Sequence, residues 1–206
     1  MTDAPTNATV LNTTVLSNFA QVDRAELLLD LPRLVTVDAV REELEAGAET
    51  HPYIEHALAV LGEETPVITP SASAEKLEEQ LLETLDPGEA QALAVAEVAD
   101  GTVITDDGDA RATAKQRGVG LTGSIGLLVR FVEDGHISAE TADRDLKRWI
   151  DEAGFRSPAR DFDVFLEDRV IVRITRHLPL LYCRTQVRER RRARSRTCVR
   201  QYKRGR

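Results

Sequence analysis

The chain of 206 residues is 42 % hydrophobic and 30 % charged, enough apolar material for one buried core and, at this length, one domain with an appendage rather than two. Its net charge of -8 hides an asymmetry: residues 1–168 carry 34 acids against 13 bases, whereas 169–206 carry one acid, Glu189, against 14 bases. A self-repelling acidic body is tolerable in concentrated salt, where the Debye length falls to about 3 Å at 1 M, so the composition points to a salt-loving source.

The first residues, "MTDAPTNATV", lack a basic patch followed by an apolar run, so neither a secretory signal nor an anchor is expected. No segment approaches the roughly 20 apolar residues of a spanning helix, and a cytoplasmic protein without membrane contact is the expectation. "ATVLN" then has the pattern of a short buried strand, and "TTVLSNFAQVDRAELLLDL" continues with apolar residues at helical spacing. "RLVTVDAVREELEAG" repeats the unit: Leu34 to Val37 as strand, Asp38 as helix cap, Val40 and Leu44 on one apolar face, Gly47 as stop. A helix over about Pro52 to Leu61, a strand within "TPVITP" and an amphipathic helix over about Ala74 to Leu85 follow.

"LDPGEAQALAVAEVADG" is the clearest helix start, with Asp86 as N-cap, Pro87 at the first helical position, Glu89 at the third, and a thin Ala-rich face suited to close packing. "VITDDGDARATAK" ends a strand, Thr102 to Thr105, directly on two carboxylates before a helix over Asp109 to Arg117. "GVGLTGSIGLLVRFVEDG" adds a strand, a glycine turn at Gly123 and an apolar helix, and Ser138 to Glu152 form an amphipathic helix around Trp149, a core residue by its position. Strands joined throughout by helices predict an α/β fold whose central, mainly parallel sheet is covered on both faces.

In such a sheet the ligand crevice lies beyond the carboxyl ends of the strands. Asn12 follows the first strand, Glu43 lies one turn into the helix after the second, Glu89 sits on the helix leading into the fourth, and Asp106 and Asp107 end the fourth. Clustered carboxylates repel unless a cation neutralises them, and oxygen donors without Cys or His suit Mg²⁺ or Mn²⁺ rather than zinc. Such a cation shares its shell with substrate phosphate, which makes phosphodiester chemistry the expected class. Bland roles compete: Glu89 completes a capping box with Asp86, Asp106 and Asp107 cap the next helix, and Glu42 is a surface charge beside Glu43. Arg111 reads either as a phosphate contact or as a structural partner of Asp107 or Asp109, the latter preferred. The four histidines show no pairing pattern, and no strand leads into a glycine-rich loop with Lys and Ser/Thr, which disfavours a nucleotide-cradling enzyme.

"VLNTTVLSNF", "TVDAVREELEAG", "LDPGEAQALAVA" and "VITDDGDARATAKQRGVGLTGSIGLLVR" together resemble PIN-domain proteins, in the prokaryotic branch similar to VapC-type toxin ribonucleases and often archaeal, here haloarchaeal by composition. The resemblance covers about residues 9–160 and implies a PIN-like domain over 9–165, a three-layer sandwich, and a Mg²⁺- or Mn²⁺-dependent endoribonuclease. It further implies the toxin half of a toxin–antitoxin pair, acting on RNA, with an antitoxin protein as partner and a homodimer as assembly. Its acids fall on Glu43, Glu89 and Asp107, with Asp106 beside the last as a further metal ligand, and its polar residues on Thr13 or Thr14 and on Thr105. At the first acid this chain has Asn12, an amide that offers one neutral oxygen and removes a charge, so weakened metal binding, or a protein that binds RNA or a partner without cutting, is the alternative. Residues 169–206, with Cys183 and Cys198, read either as a disordered polycation able to bind RNA by counterion release or, from the abrupt change of composition, as the product of readthrough or an altered reading frame.

Overall fold

The computed structural model describes residues 4–167. The chain divides into two compact units, Met1–Phe162 and Asp163–Arg206. The first holds every element below. The basic segment predicted over residues 169–206 lies outside the described residues.

Five short strands form one sheet: β1 (Thr9–Leu11), β2 (Leu34–Val37), β3 (Val67–Ile68), β4 (Thr102–Ile104) and β5 (Gly120–Thr122), in the order β3-β2-β1-β4-β5. Every pairing is parallel. This follows from the connections, because each strand reaches the next through at least one helix. The helices are α1 (Thr13–Gln21), α2 (Asp38–Ala48), α3 (Pro52–Glu64), α4 (Ala72–Leu81), α5 (Pro87–Val98), α6 (Gly108–Arg117), α7 (Ser124–Glu133) and α8 (Ala139–Glu152). The expected mainly parallel α/β architecture is the one observed.

The strands are buried on both faces, as parallel strands between helical layers must be: Val10, Leu11, Val35, Val37, Val103 and Ile104 are all shielded. α5 lies close to the sheet because Ala90, Ala92, Ala94 and Ala96 present almost no side-chain bulk at fully buried positions. On the far side Phe19 of α1, Phe131 of α7 and Trp149 of α8 meet edge to face, with centroids 5.8 and 5.3 Å from Phe19. Trp149 is fully buried and its Nε1–H donates to Asn18 O at 2.5 Å, which fixes the rotation of α1 about its axis. Burial of each such aromatic side chain is worth about 1.5–3 kcal/mol.

Several boundaries differ from the periodicity. The single helix expected after β1 stops at Gln21: Asp23 enters the left-handed region (φ 58°), Arg24 N–H returns to Phe19 O, and a separate 3₁₀ turn covers Ala25–Asp30. Asp is one of the few side chains that tolerate that conformation. Asp38 is the first helical residue rather than the cap, and Gly47 lies within α2, which runs on to Ala48. α4 begins earlier than expected, with Ser71 Oγ accepting from Ala74 N–H as its cap. No helix among the described residues is long and apolar enough to cross a membrane.

Candidate active site

The parallel strands bring their carboxyl ends to one edge, and the two central strands carry the polar floor of that edge. Asn12 follows β1 and is 1 % exposed; Thr105 follows β4 and is equally buried. Asn12 caps α1, its Oδ1 accepting from Thr13 N–H at 2.7 Å, and its Nδ2 donates to Thr105 Oγ1 at 3.1 Å. Thr105 Oγ1 also accepts the Asp107 N–H at 3.2 Å. The amide is thus used at both ends, as a buried polar group requires, and it ties the end of β1 to the start of the acidic loop.

Glu43 reaches the same edge from α2. Its Oε1 accepts the Gly88 N–H at 2.9 Å, and its Oε2 accepts a short hydrogen bond from Thr13 Oγ1. The carboxylate therefore rests on the amino-terminal turn of α5, where unpaired N–H groups and the helix dipole favour negative charge. Position 88 must be glycine for this seat to exist: a Cβ there would lie 2.5 Å from Glu43 Oε1 and 2.6 Å from Oε2. The adjacent surface residue Glu42 is exposed.

Glu89 stands one residue further along α5. Its carboxyl is pushed up to about 7, first by burial and then by the charge of Asp107, with Asp86 and Glu43 adding to the rise. The Asp86 backbone N–H donates to it and acts in the opposite direction. Glu89 is therefore both the reciprocal half of a capping arrangement and a member of a crowd of acids. Asp86 is the N-cap as expected, but its own side chain makes no cap bond.

Asp106 and Asp107 are neighbours that turn apart. Asp107 caps α6 through Oδ1, which accepts from Asp109 N–H and Ala110 N–H, both at 2.8 Å. Asp106 accepts from three donors: Ser124 N–H at 2.9 Å on Oδ1, and Ser124 Oγ–H at 2.5 Å and Asn18 Nδ2–H at 3.0 Å on Oδ2. Arg111 takes a structural role, its Nη1 donating to Thr105 O at 2.8 Å. That partner is a backbone carbonyl rather than the Asp107 or Asp109 carboxylate anticipated from spacing.

Glu43, Glu89 and Asp107 are thus close enough for their charges to act on one another, with Asn12, Thr13 and Thr105 beneath them. An uncompensated group of carboxylates is the environment a hard divalent cation relieves, and the donor set, oxygen throughout, fits Mg²⁺ or Mn²⁺. Among the described residues no three His, Cys, Asp or Glu side chains already stand in a common cation shell. Their oxygens are instead turned to Thr13, Gly88, Asp86, Asp109 and Ala110.

Sequence reasoning missed Gly88, Asn18, Gly123 and Ser124. The signal for Gly88 was present in "LDPGEAQ", since glycine in the first turn of a helix that is otherwise Ala-rich costs about 1 kcal/mol relative to alanine and calls for a steric reason. Asn18 carried no such signal, being one polar residue on an amphipathic helix. The profile of a PIN domain matches residues 8–168, and the chain belongs to that family. No curated protein gives a significant match.

Proposed function

We propose that this member of the PIN-domain family, whose fold is of nuclease type, is a Mg²⁺- or Mn²⁺-dependent endoribonuclease with a site attenuated at Asn12. The observation that carries the reading is the gathering of Glu43, Glu89 and Asp107 at the carboxyl edge of the sheet, where burial first, and the neighbouring acids second, raise the Glu89 carboxyl to about 7. Glu43, braced by Thr13 and Gly88, would hold the cation together with Glu89 and Asp107. When bound, the cation lowers the pKa of an attacking water and neutralises charge on the scissile phosphate. To join such a site Glu89 would have to lose the proton it holds up to about 7, so binding is expected to be tighter above pH 7 than below it. Hydrolysis would form the bond from water oxygen to phosphorus as the bond to the leaving oxygen breaks, the water's proton passing to solvent and the leaving oxygen taking one from solvent.

Asn12 favours a second reading, a scaffold that binds RNA or a protein without cutting. Its side chain is neutral and both its ends are engaged, by Thr13 and Thr105. Cleavage of labelled single-stranded RNA in concentrated salt separates the two, with Mn²⁺, with chelator, and with Asp107→Asn as control. Metal-dependent cleavage lost in Asp107→Asn is the expected result. No cleavage by the natural sequence, where Asn12→Asp does cut, would establish the binding scaffold instead. In either case Asn12→Asp is expected to tighten Mn²⁺ binding by restoring a charge, and unchanged affinity would place residue 12 away from the cation.

The resemblance to VapC-type toxins extends the proposal to the toxin half of a toxin–antitoxin pair, a cytoplasmic homodimer in a haloarchaeal cell. Solution mass, and co-purification with a small protein that suppresses cleavage, test that extension.

A further inference from the structure

We propose that Asp106 is a positioning residue rather than a cation ligand: it locks the acidic loop to α1 and α7, and so aims Asp107. This rests on the reading of Asp107 as part of the metal-dependent site. The observation is a closed hydrogen-bond set. Asp106 accepts from Ser124 N–H, Ser124 Oγ–H and Asn18 Nδ2–H, and the same Nδ2 donates its other hydrogen to Ser124 Oγ at 3.1 Å. The carboxylate charge is met by three donors, one of them the first backbone N–H of α7, so it has little need of a cation.

The set is anchored on every side. The backbone at Asn18 is held, because its main-chain carbonyl accepts the buried Trp149 Nε1–H. Ser124 is fully buried. Gly123 clears the space: a Cβ there would lie 2.5 Å from Asp106 Oδ1, 2.7 Å from Arg111 Nη1 and 3.0 Å from Thr105 O. Arg111 in turn holds Thr105 O from α6. Residue 106 therefore sits in a frame of four helices, and residue 107, one peptide bond on, has its direction set by that frame.

The two roles differ in a way metal affinity can read. A group that orients a ligand costs about 10- to 100-fold in affinity when removed, and so does its hydrogen-bond partner, with no further loss when both go. Loss of a ligand itself would cost as much as Asp107→Asn and more than Ser124→Ala, which leaves the carboxylate in place. Mn²⁺ binding by the full chain, followed by electron paramagnetic resonance, is measured for Asp107→Asn, Asp106→Asn, Ser124→Ala, Asn18→Ala and the Asp106→Asn/Ser124→Ala pair. The expected result is a loss of about 10-fold or more for Asp106→Asn and for Ser124→Ala, with the pair no worse than either. Asp106→Asn equal to Asp107→Asn, with Ser124→Ala and Asn18→Ala unchanged, would make Asp106 a ligand and overturn the proposal.

Ser124→Ala and Asn18→Ala keep every acid in place, so they carry the test if Asp106→Asn does not fold. If the natural protein binds no Mn²⁺, the metal-dependent reading falls, and the frame is tested by amide exchange. Asp106→Asn and Ser124→Ala must then each weaken protection of the Asp109 and Ala110 N–H groups held by Asp107. Unchanged protection would overturn the proposal independently of the metal.

Discussion

The amino-terminal turns of α5 and α7 solve the same geometric problem with opposite electrostatic results. Each opens with a glycine whose missing Cβ admits a carboxylate from another element: Gly88 admits Glu43, and Gly123 admits Asp106. Each carboxylate accepts a backbone N–H of that turn, at 2.9 Å in both cases. At α7 the carboxylate is then fully satisfied by Ser124 and Asn18. At α5 two further acids, Glu89 and Asp107, crowd in, and burial and repulsion hold the Glu89 carboxyl well above its ordinary range. A seat with matched donors stabilises a fold, whereas a seat with surplus charge is held in readiness for something positive. Position at a helix start does not distinguish them; the charge balance does.

The largest effect that sharpens this contrast is expected from Gly88→Ala. Its Cβ would press on the carboxylate end of Glu43, a flexible side chain that swings aside cheaply, while the helix gains up to about 1 kcal/mol in propensity. Mn²⁺ affinity and RNA cleavage should fall by about 10- to 100-fold with the melting temperature unchanged or raised. An alanine variant that binds Mn²⁺ normally would show that the Glu43 seat is only structural. Gly123→Ala should do the reverse. Its Cβ meets the Thr105 carbonyl at 3.0 Å as well as Asp106 and Arg111, and a β-strand end cannot swing aside. A loss of about 1–3 kcal/mol in chemical denaturation is expected. Equal stability of the two glycine variants would break the comparison.

The fold was legible because strand and helix alternate and parallel pairing leaves few topologies. That Glu43 and Asp107 come near Glu89 was legible for a related reason, since a parallel sheet gathers its carboxyl ends on one edge. Asp106 shows the limit of adjacency, which says nothing of direction: its donors lie 18 and 88 residues away, on Ser124 and Asn18. Arg111 shows the same limit, its helical spacing to acids being real while its guanidinium prefers the Thr105 carbonyl. The break after Gln21 was hidden because the apolar pattern continues through Leu27 and Leu28, whereas the chain reverses at Asp23, whose left-handed backbone carries no hydrophobic signature.

The smallest predicted effect tests the surplus charge itself. Glu89 holds its proton more tightly in the folded chain, near 7, than in the unfolded one, where 4.5 is the ordinary value. The folded state therefore binds more protons between those values, and stability must fall as pH rises from about 4.5 through 7, leaving the destabilisation complete above that range. Melts in chelator at pH 5.5 and pH 8 should show a lower midpoint at the higher pH, with a smaller drop in Glu89→Gln, which removes the titrating group but keeps its size. Mn²⁺ should restore the midpoint at pH 8 more than at pH 5.5, because the ionised cluster is the form that binds a cation. At the α7 seat the corresponding substitution, Asp106→Asn, should leave that pH dependence in place while lowering stability at both pH values, since it removes a satisfied carboxylate rather than a crowded one. A drop in midpoint that survives unchanged in Glu89→Gln would locate the surplus charge elsewhere and dissolve the distinction between the two helix starts.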